Sequence, residues 1–143
     1  MSAGDSPPTR IEPQRGHDSD EFWDGARRRE LLIQGCGVCG TKWHPPSPIC
    51  PECHSFEVQW VQASGRGHVY SYVVVRHAAH PLVESWVPYN IALIALDEGP
   101  RIVSTIRGIR HEDLVIGMPV NVAYEDVTDS FTLPVFEPRP QEY

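Results

Sequence analysis

Two Cys-x-x-Cys hooks, Cys36/Cys39 and Cys50/Cys53, stand ten residues apart and contain every cysteine of the 143-residue chain. A Cys-x-x-Cys turn aims two thiolates at one point, and two facing turns supply the four sulfurs of a tetrahedral Zn²⁺ site with no open position. Such a closed site organises the chain and leaves the ion no place for a substrate. Disulfides would need an oxidising compartment. The sequence opens Met1-Ser2-Ala3-Gly4-Asp5 and shows neither a secretion signal nor a membrane-length apolar run, so a cytoplasmic chain with reduced thiols is expected. A thioredoxin-like redox pair uses one hook at a helix start, whereas Gly37, Gly40, Pro45, Pro46, Pro48 and Pro51 break up this segment. Iron accepts the same four sulfurs, so a small iron redox carrier stays open as an alternative, which colour and an electron-transfer signal would separate from zinc. His44 and His54 flank the hooks, and with the shell already complete they are expected on the surface or beside the ligands.

The rest of the chain divides by pattern. Residues 1–18 are rich in Pro, Gly, Ser and charge without an apolar period, and are expected to form a flexible arm. Asp18 and Glu21 have capping-box spacing, Arg27, Arg28 and Arg29 suit a helix C-terminus, and Phe22 and Ala26 share a face with Trp23 beside them. A short helix packed on an apolar surface is predicted there. Leu31-Leu32-Ile33-Gln34 then enters the first hook, Trp43-His44 leaves it, and Phe56 to Val61 follows the second, which is the layout of a zinc ribbon.

From residue 63 the sequence reads as strand after strand. His68–Arg76, Asn90–Leu96, Arg101–Ile106, Val120–Glu125 and Phe131–Phe136 are dense in β-branched and aromatic residues, Asp97-Glu98-Gly99-Pro100 marks a hairpin, and residues 109–114 suit one helical turn. Five strands of this length suggest a small antiparallel barrel of the OB type, with a sandwich of similar size as the competing arrangement. The expected organisation is an arm over 1–18, helix and ribbon over 19–62, barrel over 63–137 and a tail over 138–143.

Phe22-Trp23, the four-cysteine ribbon with Pro45-Pro46 between its hooks, Ser64-Gly65-Arg66-Gly67-His68-Val69-Tyr70-Ser71-Tyr72 and Gly117-Met118-Pro119-Val120 together resemble the domain of unknown function 35 family. The resemblance covers residues 19–137 and implies a rubredoxin-like zinc ribbon joined to an OB-fold. It further implies a non-catalytic partner of thiolase-superfamily enzymes, thiolases or thiolase-like aldolases, that helps bind an acyl-CoA and stabilises a hetero-oligomer. Steroid side-chain breakdown is among the processes it suggests. One departure is His54, at a position where the family usually has glycine. A left-handed turn there would put a histidine in a less favoured conformation.

The residues themselves offer no catalytic set. Every thiol is committed to metal, and Ser71 and Ser104 lie within strands without a glycine-flanked elbow. His77 and His80, three residues apart in a long loop, are conceivable acid/base groups and ordinarily solvated ones. An OB barrel also raises single-stranded nucleic acid, with Tyr70, Tyr72, Phe131 and Phe136 as stacking platforms. Charge opposes it: the chain carries a net charge of -7, and its barrel has Arg66, Arg76, Arg101, Arg107 and Arg110 against Glu84, Asp97, Glu98, Glu112, Asp113, Glu125, Asp126 and Asp129. The same balance disfavours anionic membranes. Coenzyme A needs only two or three local cations, for which Arg66, Arg101 and Arg107 are candidates. The loop from His77 to Tyr89 carries Leu82, Val83, Trp86 and Tyr89, too apolar for an idle connection, and is expected to touch the partner or roof its acyl tunnel. Candidate substrate or partner residues are therefore Arg66, Tyr70, Tyr72, His77, His80, Trp86, Tyr89, Arg101 and Arg107.

Overall fold

The computed structural model describes residues 16–140, so most of the expected arm and tail lies outside the described residues. Helix α1 (Asp20–Arg27) buries Phe22, Gly25 and Ala26, the face set by the one-turn spacing. The expected capping box does not form. Ser19 is the N-cap, and its hydroxyl is tied to Gly16, accepting that residue's N–H at 3.0 Å, so it makes no side-chain cap. The arginines do more than balance the helix dipole. Arg29 takes a left-handed φ of 63° and turns its guanidinium back onto Asp126 in two hydrogen bonds of 2.8 and 2.7 Å, while Arg27 Nη2 donates to the Asp129 carbonyl at 3.0 Å.

Strands β1 (Leu32–Cys36), β2 (Lys42–Trp43) and β3 (Val58–Gln62) form an antiparallel sheet in the order β2-β1-β3. Strands β4 (Arg66–Val75), β5 (Tyr89–Leu96), β6 (Arg101–Ser104), β7 (Pro119–Asp126) and β8 (Thr132–Pro138) form a curled sheet in the order β6-β5-β4-β7-β8. β6 is two residues shorter than its apolar run predicts because the chain changes partner. The Phe136 N–H donates to the Thr105 carbonyl at 3.0 Å and the Arg107 N–H to the Phe136 carbonyl at 2.8 Å, a parallel bridge that joins the two edges. This closure makes the sheet an OB-fold barrel. Asn90, 3% exposed, braces it from inside: Oδ1 accepts from the Ile106 N–H at 2.7 Å and from Thr105 Oγ1 at 3.0 Å, and Nδ2 donates to the Ile106 carbonyl at 2.9 Å.

Ribbon and barrel share one core. Phe22 of the helix and Leu31 and Ile33 of the ribbon pack with Val69, Ile94 and Phe136 of the barrel, all buried. A smaller cluster of Cys36, Trp43 and Cys50, with Val58 against it, lies at the hooks.

The Arg29–Asp126 pair gives the junction a pH signature. Hydrogen bonds from Arg29, then from Thr132, lower the Asp126 carboxyl from its ordinary 3.8 to about 2. A carboxylate whose folded pKa is depressed stabilises the fold above its unfolded pKa and loses that contribution as pH falls through the folded value. Asp126→Asn should therefore melt at a lower temperature than wild type at pH 7, with the gap closing between about pH 4 and about pH 2. A gap that stays constant over that range in thermal melts would show that carboxylate charge plays no part. The pair is half exposed, so the effect should be modest and should shrink in salt.

Candidate metal centre and apolar trough

The two hooks fold as near copies. The N–H groups of Val38 and Cys39 point at Cys36 Sγ (3.3 and 3.4 Å), and those of Glu52 and Cys53 at Cys50 Sγ (3.4 Å each). After each hook the chain turns left-handed, at Gly40 (φ 77°) and at His54 (φ 63°), and each of these residues donates its N–H to the carbonyl of the first cysteine of its hook. The histidine thus adopts the conformation expected to cost it most. Buried Gln34 holds the inter-hook loop through Oε1, which accepts from Trp43 Nε1 at 2.7 Å and from the Ser47 N–H.

All four sulfurs lie within 4.8 Å of one another, with Cys36–Cys53 at 3.5 Å and Cys39–Cys50 at 3.6 Å. Four thiolates bound tetrahedrally to zinc stand about 3.8 Å apart, so the set fits a structural Zn²⁺. The Thr41 hydroxyl, and then its N–H, lower the Cys39 thiol to about 6. At Cys53 the Ser55 N–H favours the thiolate but is outweighed by the neighbouring sulfurs and burial, which push it up to about 12. Four such groups ionise together only around a cation. Cys50 and Cys36 are buried while Cys39 and Cys53 are exposed.

Elsewhere, a groove of about 440 Å³ lies on the barrel, lined by Trp86, Tyr89, Asn90, Ile91, Val103, Ser104, Thr105, Arg107, Leu133 and Pro134. It gathers three of the candidate residues: Trp86, Tyr89 and Arg107. Arg107 Nε donates to Glu125 Oε2 at 3.1 Å. The other candidates stand elsewhere. Arg101 lies 3.8 Å above the Tyr70 ring, Tyr72 donates its hydroxyl to the Leu114 carbonyl at 3.1 Å, and Arg66 is exposed at the start of β4. His80 Nδ1 accepts the Leu82 N–H at 3.0 Å, capping a 3₁₀ turn over Pro81–Val83, and His77 is exposed in the same loop. Stacking surfaces for nucleic acid are largely occupied, since Phe131 and Phe136 are buried and Tyr70 is covered by Arg101.

Ile91, Val103, Leu133 and Pro134 were missed as site residues, yet β5 held a signal. From Ile91 to Leu96 it is apolar at every position, whereas a strand with one solvated face alternates. Its outward residues pair with those of its neighbours, Ile91 with Val73 and Leu93 with Val103, and Val73 and Val103 are 56% and 67% exposed. Such an exposed apolar face marks an interaction surface.

A four-thiolate ribbon and a five-stranded barrel on one core define a zinc-ribbon OB-fold protein. Two family models match in that order: the rubredoxin-like zinc ribbon domain of ChsH2 over residues 23–59 and its C-terminal OB-fold domain over residues 60–125. The chain belongs to the DUF35 family. A solved structure described as Ltp2-ChsH2(DUF35) aldolase superposes with a TM-score of 0.82 at 42% identity, over 89% of this chain and 98% of that one. A probable enoyl-CoA hydratase alpha subunit of Thermomonospora curvata is 43% identical over 134 residues, covering 93% of this chain and 41% of the relative. The 3-oxo-4,17-pregnadiene-20-carboxyl-CoA hydratase alpha subunit of Mycobacterium tuberculosis is 38% identical over 132 residues, or 92% and 41%. The chain thus spans about two fifths of these two relatives' length. Among the described residues, no helix is long and apolar enough to cross a membrane.

Proposed function

We propose that this chain is a non-catalytic accessory subunit of a thiolase-superfamily enzyme, a thiolase or thiolase-like retro-aldolase, that helps accommodate an acyl-CoA and stabilises the complex. The observation that carries this reading is the exposed apolar groove around Trp86, Tyr89, Ile91 and Val103, which leaves the barrel with a face suited to another chain. A metal shell complete with four thiolates supports it, because such an ion has no position for substrate. The names of the similar proteins, an aldolase assembly and two hydratase alpha subunits, agree with a multi-chain role on acyl-CoA esters, steroid side chains among them. Coenzyme A phosphates fit the exposed rim better than the groove, where Arg107 already faces Glu125.

The test is co-expression with a thiolase-like protein encoded beside this chain. The two should co-elute in size-exclusion chromatography, and acyl-CoA turnover should require both. Conversion of an acyl-CoA by the purified chain alone would overturn the reading. Trp86→Ala should weaken the complex about thirty-fold, the scale of an aromatic anchor at about 2 kcal/mol, with zinc content unchanged. Unchanged affinity and turnover in that variant would remove the loop from the interface.

A further inference from the structure

The groove on the barrel does not end at β6. A second concavity, of about 250 Å³, is lined by Ser19, Phe22, Trp23, His44, Pro45, Pro46 and Ile102 together with Val103, Leu133 and Pro134. The last three also line the first groove. The two therefore adjoin along a shared wall at β6 and β8, and together they form a divided trough from Trp86 to the helix and the inter-hook loop.

The shared wall carries an open strand edge. Across the hairpin the Leu96 N–H donates to the Pro100 carbonyl, whereas the Asp97 N–H turns the other way, to the Arg66 carbonyl. With Leu93 opposite Val103 in the register, the same alternation points the Val103 N–H and C=O away from β5. Thr105 and Arg107 share that orientation, and Phe136 takes the Thr105 carbonyl and the Arg107 N–H. The next step of the parallel ladder would need an N–H from residue 134, and residue 134 is proline. The Pro134 carbonyl accepts instead from Ser104 Oγ at 3.0 Å. Backbone closure stops there: β8 runs on past β6 at Leu133 and Pro134, but among the described residues no strand hydrogen-bonds to Val103 on this side.

The chemistry of the trough narrows its occupant. The guanidinium on its wall, that of Arg107, faces Glu125, and burial pushes His44 down to about 4, so that imidazole is neutral. Among the described residues, no carboxylate lines it. An anionic headgroup finds no free cation along this wall, and a hydrocarbon chain leaves the Val103 N–H and C=O without partners. A polypeptide strand with small or apolar side chains satisfies both demands.

We propose that this trough seats an extended, uncharged, apolar segment of the partner enzyme, added as a strand along the open edge of β6 and spanning barrel and ribbon. The inference rests on the accessory-subunit reading and adds which surface is used and by what. It makes the ribbon part of the interface, because Phe22, Trp23 and the His44–Pro46 wall form one end of the seat.

The experiment uses the full chain and the thiolase-like protein encoded beside it. In the wild-type complex, hydrogen exchange at the Arg101 and Val103 amides should slow at least about ten-fold relative to the free chain. Val103→Pro removes an N–H that no acceptor among the described residues uses, and Val103→Lys places a charge on an exposed edge position. Each should weaken the complex at least about ten-fold in calorimetric titration while zinc content and melting temperature stay at wild-type values. If the wild-type complex forms but those amides stay unprotected and Val103→Lys binds normally, the trough is not the seat and the accessory role stands. If wild type forms no complex, both readings fall. Self-association broken by Val103→Lys, or protection of Val103 by palmitoyl-CoA alone, would overturn the assignment in favour of a second copy or a lipid ligand.

Discussion

Cys50→Ser protein should purify without stoichiometric zinc and without the cooperative melt of the wild-type chain. Cys50 is fully buried at the hooks, and its sulfur accepts two backbone N–H groups in addition to its place in the thiolate set. Structural zinc in four-ligand peptides is bound with about 10–16 kcal/mol, comparable to or larger than the about 5–15 kcal/mol that holds a whole domain folded. The effect should not stay local. Leu31 and Ile33 lie shortly before the first hook and belong to the same buried core as Ile94 and Phe136, so a collapsed ribbon uncovers one side of the barrel. A drop in melting temperature of at least about 15 °C is expected in calorimetry, with metal content read by mass spectrometry. A metal-free variant that melts where wild type does would show that the ribbon is an ornament on an independent barrel.

Asn90→Ala should be the most damaging change away from the metal. The side chain stands in for a missing stretch of strand, engaging both the N–H and the C=O of Ile106. Truncation leaves two buried backbone groups short of partners, a loss of about 2–6 kcal/mol at about 1–3 kcal/mol for each unsatisfied group, while the Thr105 hydroxyl keeps the residue 90 carbonyl at 2.9 Å. Asn90→Asp keeps the acceptor but loses the donor and adds charge, so it should not rescue. Urea denaturation gives the magnitude, and faster amide exchange at Ile106 would localise it to the barrel seam. A cost below about 1 kcal/mol would mean that water takes over those groups, as a roomier polar site would allow.

The parts of this molecule that sequence makes legible are the local ones. Cys-x-x-Cys turns place their own sulfurs, so the ligand set is visible before any fold is known. Strand period and hairpin residues likewise mark the five barrel strands. Their ends are less legible, because a change of hydrogen-bonding partner can decide where a strand stops, as it does after Ser104. What sequence hid was set by residues far apart in the chain. Arg27 and Arg29 looked like helix-dipole cations, and instead they reach about a hundred residues forward to Asp129 and Asp126. Arg101 and Arg107 looked available for phosphate, and in the fold one covers Tyr70 while the other faces Glu125. The trough joins residues from positions 19 to 134, so no window of sequence contains it. Asp18 and Glu21 had capping spacing, but the nearby Gly16 and Ser19 made a tighter local turn first.

The shared core under ribbon and barrel carries a consequence for how this protein can be cut. The border between the two matched family models falls at residues 59 and 60, in the middle of β3, which pairs along its whole length with β1. Severing there would split a paired ladder and bare Phe22, Leu31 and Ile33 on one fragment and their counterparts on the other. The two lobes are thus a welded bracket, with no joint to freeze when a ligand spans them, and that lack of a joint lowers the entropic cost of gripping anything along their common face.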